Sequence, residues 1–256
     1  MNRLKVSDRN GVVDVLNAEG TAPIVLVCEH ASPFIPARFD NLGLKAAARI
    51  SHAAWDPGAL AVAASMSRHL AAPLVASRVS RLVYDCNRPP EAPGAMPAKS
   101  EVIDVPGNTA LTDAERAERT KTFYAPFKAE VARTLNAKRA PTLVTVHSFT
   151  PVYHGVTRSV EIGLLHDDDA RLTDAMLSCA TAHTSCVVER NAPYGPQDGV
   201  THTLKEHALP HNWPNVMIEI RNDLIATEQA QKDMAKMLSA WLTEALATLE
   251  TLQCKG

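Results

Sequence analysis

Short β-branched runs recur along the chain: IVLVC (24–28), LVAS (74–77), RLVYDC (81–86), TLVTVH (142–147), SVEIGLL (159–165), SCVVE (185–189) and NVMIEI (215–220). Segments with helical apolar spacing separate them. Strands alternating with helices imply an α/β fold in which a central mixed, largely parallel sheet is flanked by helices on both faces.

Three helices have legible ends. Asp56-Pro57 offers an N-cap before a proline at the first helical position, and GALAVAASMSRHL then runs to Ala71-Ala72-Pro73, where the proline stops it. Thr112 and Glu115 have the spacing of a capping box opening a charged helix, which Pro126 is expected to kink on its way to about residue 138. Near the carboxyl end, Met234, Met237, Leu238, Trp241, Leu242, Ala245, Leu246 and Leu249 make one apolar stripe suited to packing on the sheet. The segment 87–108 contains five prolines and two glycines and is longer than ordinary connections, as loops that line sites often are.

Composition narrows the class. A chain of 256 residues with 46% apolar content is read as a single domain over 1–256 with an ample core. Lys and Arg total 26 against 28 Asp and Glu, so no basic field draws it to nucleic acid or to an anionic membrane. The opening MNRLKVSDRNGVV lacks the apolar centre of a secretory signal, and no run approaches the ~18 apolar residues of a membrane span, so the expected location is cytoplasmic. Cys28, Cys86, Cys179, Cys186 and Cys254 are scattered without a C-x-x-C pair, which argues against a disulfide framework or a thiolate zinc cage and makes most of them apolar fillers. Phosphate-binding loops, dinucleotide fingerprints and the G-x-S-x-G elbow are absent.

Ligands of open α/β sheets bind at the carboxyl ends of strands, so polar residues ending apolar runs carry the candidate chemistry. Four such ends are Cys28-Glu29-His30, Tyr84-Asp85-Cys86-Asn87-Arg88, Val146-His147-Ser148 and Ile218-Glu219-Ile220-Arg221. Two histidines from separate ends plus a carboxylate form the inventory of a catalytic zinc site, with His30 and His147 as ligands and Asp56, His52 or Glu29 as the third. Asp56 also has the competing task of capping a helix. Glu219 interrupts an apolar strand, where an ionised carboxylate is costly unless it faces an ion or a polar cavity, and so suits a general base; the bland alternative pairs it with a core arginine. Arg78, Arg81, Arg88, Arg158 and Arg221 gather near these ends and suit an acidic substrate, although Arg78 by itself reads better as solvated or structurally paired.

The segments CEHAS (28–32), HAAWDPGA (52–59), SRLVYDCNR (80–88), HSFTPVYHG (147–155), TRSVEIGLL (157–165), NAPYGPQDGVTHTLKEHA (191–208) and NVMIEIRNDL (215–224) resemble, in order, the N-formylglutamate amidohydrolase family. The resemblance implies a phosphorylase/hydrolase-like, zinc exopeptidase-like fold shared with zinc carboxypeptidases and aspartoacylases. It implies Zn2+ or another divalent metal held by His30, His147 and Asp56, with Glu29 as the alternative. Arg81 would polarise the scissile carbonyl, Asn87 and Arg88 would hold the substrate's α-carboxylate, and Glu219 would be the base. Arg158 and Arg221 become candidates for a side-chain carboxylate, while Tyr194 and His207 fall in a matching loop without an assigned task.

The leading expectation is therefore a metal-dependent amidohydrolase acting on N-formyl-L-glutamate or a related small acidic N-acyl amino acid, without nucleic-acid or membrane partners. A carboxypeptidase- or deacylase-like enzyme with another small acidic substrate, or a binding protein that senses such a metabolite, are the alternatives. Oligomeric state is not readable from the sequence.

Overall fold

The structure, a computed structural model, describes residues 5–6 and 11–253. Cys254 and most of the amino-terminal segment inspected for a signal lie outside these residues. One sheet organises the chain, built from β1 (Lys5–Val6), β2 (Val13–Leu16), β3 (Ile24–Cys28), β4 (Leu74–Ser77), β5 (Thr142–Phe149), β6 (Ile162–Leu165), β7 (Val188–Arg190) and β8 (Asn215–Arg221). Their spatial order is β1-β2-β4-β3-β5-β8-β6-β7. The inner strands β4, β3, β5 and β8 are mutually parallel, whereas β2 and β6, which flank this group, run antiparallel to β4 and β8.

The continuous apolar character of the central runs follows from burial on both sides. On β3, Ile24, Leu26 and Cys28 face one core, and Val25 and Val27 face the other. The same alternation sends Val216, Ile218 and Ile220 of β8 into the first core and Met217 into the second. The first core is covered by the helices Ala59–His69, Arg171–His183 and Glu228–Gln253, and the second by Phe123, Tyr124, Phe127, Val131 and Leu135 of the 113–136 helical segment. The carboxyl-terminal stripe performs the expected task, with Leu238, Trp241, Leu242 and Ala245 fully buried. None of the described helices is long and apolar enough to cross a membrane.

Local expectations are corrected at several points. The run 81–86 is not a strand: the amides of Val83 and Tyr84 both bond to Ser80 O and the Ser80 hydroxyl caps Leu82 N, so a tight turn consumes the hydrogen bonds a strand would need. The run 159–165 becomes strand only from Ile162, and the run 185–189 only from Val188. Helix Ala59–His69 is not capped by Asp56, because Gly58 holds the N-cap position at φ 84° and the Asp56 carboxylate points elsewhere. The capping box at Thr112 and Glu115 is present, with Glu115 accepting from Thr112 N at 2.8 Å and Thr112 Oγ1 accepting from Glu115 N at 3.3 Å. The irregularity expected at Pro126 is a π-helical turn, Thr120–Tyr124, between Asp113–Arg119 and Ala125–Asn136; widening the turn accommodates a residue that has no N–H and crowds the preceding carbonyl.

This topology locates the site. From β3 the chain crosses over to β4 on one side, then passes to β5 on the other side of β3, so the strand order reverses between β3 and β5. Such a switch point opens a crevice beyond the carboxyl ends of the two strands. His30 follows β3, and His147 lies two residues before the end of β5.

Candidate active site

The rings of His30 and His147 meet at the crevice, 4.7 Å apart between centroids. Their Nδ1 atoms are 3.1 Å apart, and Asp56 Oδ2 lies 2.8 Å from Nδ1 of His147 and 3.3 Å from Nδ1 of His30. All three residues are buried. Asp56 is positioned by its own backbone, whose N–H donates to His30 O at 2.9 Å, while its carboxylate also accepts from Ser148 N at 3.2 Å. Two nitrogens and one oxygen bound to zinc at ~2.0–2.1 Å would stand roughly 3.3 Å from one another in a tetrahedral site, close to the spacing found here.

The far side of each ring meets another carboxyl group. His30 Nε2 donates to Asp85 Oδ1 at 2.7 Å, and His147 Nε2 lies 3.0 Å from Glu29 Oε2, without the alignment of a hydrogen bond. A carboxylate only accepts, so it favours the ring tautomer with the proton on Nε2 and leaves the Nδ1 lone pair facing the cluster. Three acceptors then converge within 3.3 Å, an arrangement that needs a positive charge between them. Burial alone would depress both histidines, but the carboxylates beside them raise their proton affinity, Asp85 and Asp56 acting on His30 and Glu29 and Asp56 on His147. Protons are thus one way to supply that charge, and a divalent cation is the other. Arg81 contacts Asp56 and Asp85, and Glu29 stands behind His147, so carboxyl groups outnumber guanidinium groups immediately around the two rings, a balance that suits a cation. The donor set fits a divalent metal, with Glu29 behind a ligand instead of serving as one. His52 is elsewhere, bonded to Glu101 at 2.8 Å near the cavity mouth.

Glu219 and His147 are placed by sheet register. They are opposite one another on the parallel pair β8–β5 and lie on the face that also carries Met217 and Leu143. Glu219 is only 5% exposed, its Oε2 has no hydrogen-bond partner, and burial pushes its carboxyl up to about 7 against the pull of His147. No core arginine pairs with it among the described residues, so the bland expectation for this acid fails. Its other neighbour in register is Gly163 of β6. A Cβ on Gly163 would come 2.0 Å from Ala192 O, so glycine here lets the 192–194 backbone lie against the sheet and brings Pro193 and Tyr194 to the cavity wall.

These groups open into a cavity of about 500 Å³. Arg81 enters from the turn that replaced the expected strand, its Nη2 donating to Asp85 Oδ2 at 2.8 Å and its Nη1 lying 3.5 Å from Asp56 Oδ1. Asp85 therefore joins the His30 ring to the guanidinium; the sequence placed it beside candidate residues but assigned it nothing. An acid buried among Leu82, Val83 and Tyr84 was the available signal.

Asn87 and Arg88 line the opposite wall. The Asn87 amide donates to Val200 O and accepts from Thr203 N, pinning the 200–203 segment, while Arg88 donates to the carbonyls of Gly199 and Asn87. Arg158 donates to Tyr194 OH at 2.9 Å and Thr150 O at 3.3 Å, with its guanidinium over the rings of Phe149, Tyr153 and Tyr194. Among the described residues neither Arg88 nor Arg158 has a carboxylate partner, although both line the cavity.

Other candidates are not brought here. Arg221 does not line the cavity, because Asp223 at 2.8 Å and Glu161 at 3.2 Å hold its guanidinium at the strand end. Arg78 pairs with Asp14 at 3.7 Å away from the site. His207 is buried on the short helix His202–His207 and does not line the cavity; its imidazole is pushed down to about 4, mainly by burial. Ser148 donates its hydroxyl to Pro57 O and Ser32 Oγ accepts from Phe34 N, so neither serine forms a nucleophile–base pair with its neighbouring histidine.

Comparison with known proteins places this arrangement in a family. Gene product Atu2144 of Agrobacterium tumefaciens is similar at 56% identity, with a TM-score of 0.90 over 93% of this chain and 96% of its own. The N-formylglutamate amidohydrolase of Ralstonia eutropha JMP134 shares the fold, with a TM-score of 0.61 and 20% identity over 96% of this chain and 99% of its own. No curated protein sequence matches. The profile of the N-formylglutamate amidohydrolases matches residues 22–226, a span that includes the histidines, all four carboxyl groups and every cavity arginine described above. With that match over most of its length, the chain belongs to the N-formylglutamate amidohydrolase family.

Proposed function

We propose that the protein hydrolyses the amide bond of a small N-acylated acidic amino acid, N-formyl-L-glutamate or a close relative, with a divalent cation, zinc in the first instance, held by His30, His147 and Asp56. The observation carrying this reading is Glu219: a buried carboxyl with an unpartnered oxygen, a proton affinity near neutrality, and a place beside His147 in the same cavity. When bound, the cation supplies Lewis-acid polarisation and lowers the pKa of water at the cluster.

The remaining work belongs to side chains. Arg88, with the amide N–H that Asn87 does not give to Val200, receives the α-carboxylate, and Arg158 receives the side-chain carboxylate from within its aromatic surround. Arg81, steadied by Asp85, stabilises negative charge developing on the carbonyl oxygen. Glu219 takes a proton from the attacking water as the new C–O bond forms, then returns it to the amine nitrogen as the C–N bond breaks. A carboxyl near pH 7 is matched to both halves of that exchange.

A variant of this reading keeps the same side chains and takes a larger acyl group than formyl. Steady-state kinetics on N-formyl-, N-acetyl- and N-succinyl-glutamate and -aspartate, with and without added Zn2+, test both. Metal-stimulated turnover of at least one dicarboxylic substrate is the expected result; absence of turnover across the panel in protein carrying stoichiometric metal would point to a binding protein.

A further inference from the structure

A second convergence of metal-binding side chains lies among the helices that cover the first core. Cys179 and His183 are four residues apart on helix Arg171–His183 and so project from one face, one turn apart. Helix Glu228–Gln253 packs against it and carries Glu244, whose Oε2 stands 2.9 Å from His183 Nε2. The Cys179 sulfur, a His183 ring nitrogen and a Glu244 carboxylate oxygen all lie within 4.8 Å of one another.

The imidazole is held in place before any ligand arrives. It stacks on Trp241 at 6.2 Å and 15°, and Trp241 is fixed by full burial and by its Nε1–H donating to Met176 O at 2.7 Å. Cys179 is partly buried, and the Glu244 carboxylate is about half exposed, so the cluster has a solvent side by which an ion can enter. A plain reading takes His183–Glu244 as a surface ion pair and Cys179 as filler. The thiol at rest donates to Ala175 O at 3.4 Å and Met176 O at 3.5 Å, contacts that satisfy it without using the sulfur's lone pairs, which stay available beside the pair.

The geometry points to a second divalent-cation site, formed by Cys179, His183 and Glu244, that takes a thiophilic borderline ion such as Zn2+ and clamps the carboxyl-terminal helix to helix Arg171–His183. One sulfur, one nitrogen and one oxygen donor leave a fourth tetrahedral position for water, and binding releases the thiol proton. With His183 and Glu244 already 2.9 Å apart, the remaining adjustment is at the Cys179 sulfur, which binding also draws away from its hydrogen bonds to Ala175 O and Met176 O.

Co2+ is the probe that separates this site from the catalytic cluster, whose donors are nitrogen and oxygen only. Titration of the purified full-length protein with Co2+ should give a saturable thiolate-to-cobalt absorption in the near ultraviolet, and Zn2+ should displace it. Cys179→Ser should abolish the band and remove one of two metal equivalents; His183→Ala should weaken Co2+ binding more than ten-fold. His147→Ala should keep the band while losing the other equivalent. Circular dichroism of Cys179→Ser and His183→Ala must match wild type, and Cys28→Ser and Cys186→Ser are controls that must retain the band. A band surviving Cys179→Ser, or only one equivalent of metal in the wild-type protein with no thiolate absorption, overturns the assignment.

Discussion

Asp85 and His30 share a 2.7 Å hydrogen bond, and the other oxygen of Asp85 receives Arg81 at 2.8 Å. One buried carboxylate thus favours one tautomer of His30 and fixes the position of the Arg81 guanidinium, to which the proposed reaction gives the carbonyl oxygen. Asp85→Asn keeps the shape but puts an amide where a carboxylate held two cationic or donor groups. Zinc affinity should fall about 10–100-fold, and kcat should fall further than metal loss explains, because Arg81 is also released. Competition titration with a chromophoric chelator measures the first effect. If affinity stays within two-fold of wild type, Asp85 does not govern the cluster.

Removing the charge of Glu219 without changing its shape isolates the proton transfer. Glu219→Gln should bind one equivalent of metal at the His30–His147–Asp56 cluster as before and lose about 10²–10⁴ in kcat. Retained turnover in a variant with normal metal content would exclude this carboxyl from the reaction.

The same residue makes a stability prediction with a definite sign. In the metal-free protein burial raises the Glu219 carboxyl from 4.5 to about 7, so across that interval the folded state binds more protons than the unfolded chain. Its contribution to stability is therefore present below about pH 4.5 and is lost as pH rises through 7. Metal-free Glu219→Gln should be more stable than wild type at pH 8, by up to about 3 kcal/mol, and the advantage should shrink steadily towards pH 5. Thermal denaturation in the presence of a chelator reads this directly; a difference independent of pH contradicts it.

Arg88 and Arg158 face the cavity without carboxylate partners among the described residues. Arg88→Met and Arg158→Met should each raise KM for a dicarboxylic substrate by about 10–100-fold, the loss of one charge-assisted pair. The two should differ on a substrate whose side-chain carboxylate is replaced by an amide. That change should cost wild type and Arg88→Met heavily and Arg158→Met little; equal penalties in all three would reverse or dissolve the assignment of the two ends.

Gly163→Ala tests the packing that brings Tyr194 to the wall. Its Cβ would meet Ala192 O at 2.0 Å, so the 192–194 segment must move away from the sheet. A loss of about 2–4 kcal/mol is expected from a clash of this kind in a buried strand, along with weaker substrate binding. Denaturant unfolding with an unchanged midpoint would show that the segment shifts at no cost.

Much of the architecture was written in local pattern. Continuous apolar runs such as IVLVC and the Val216–Ile218 stretch require burial on both faces, and the stripe from Met234 to Leu249 requires a helix packed on one. The capping box at Thr112 was readable because both its partners lie within four residues. The run 81–86 misled because its apolar residues are buried by tertiary packing while its backbone hydrogen bonds close a turn through Ser80.

By itself the sequence determined the fold class, the strands whose ends carry His30, His147 and Glu219, and a likeness to the family to which the chain belongs. Tertiary structure decided what depends on distance between remote residues: that Asp56 leaves helix capping to Gly58 and faces two imidazoles, and that Glu29 stands behind His147 while Asp85 ties His30 to Arg81. It also decided that two carboxylates claim Arg221 outside the cavity. The physical reason is that secondary structure is set by interactions a few residues apart, whereas the charge state and orientation of a buried side chain are set by whichever groups the strand order and sheet register bring beside it.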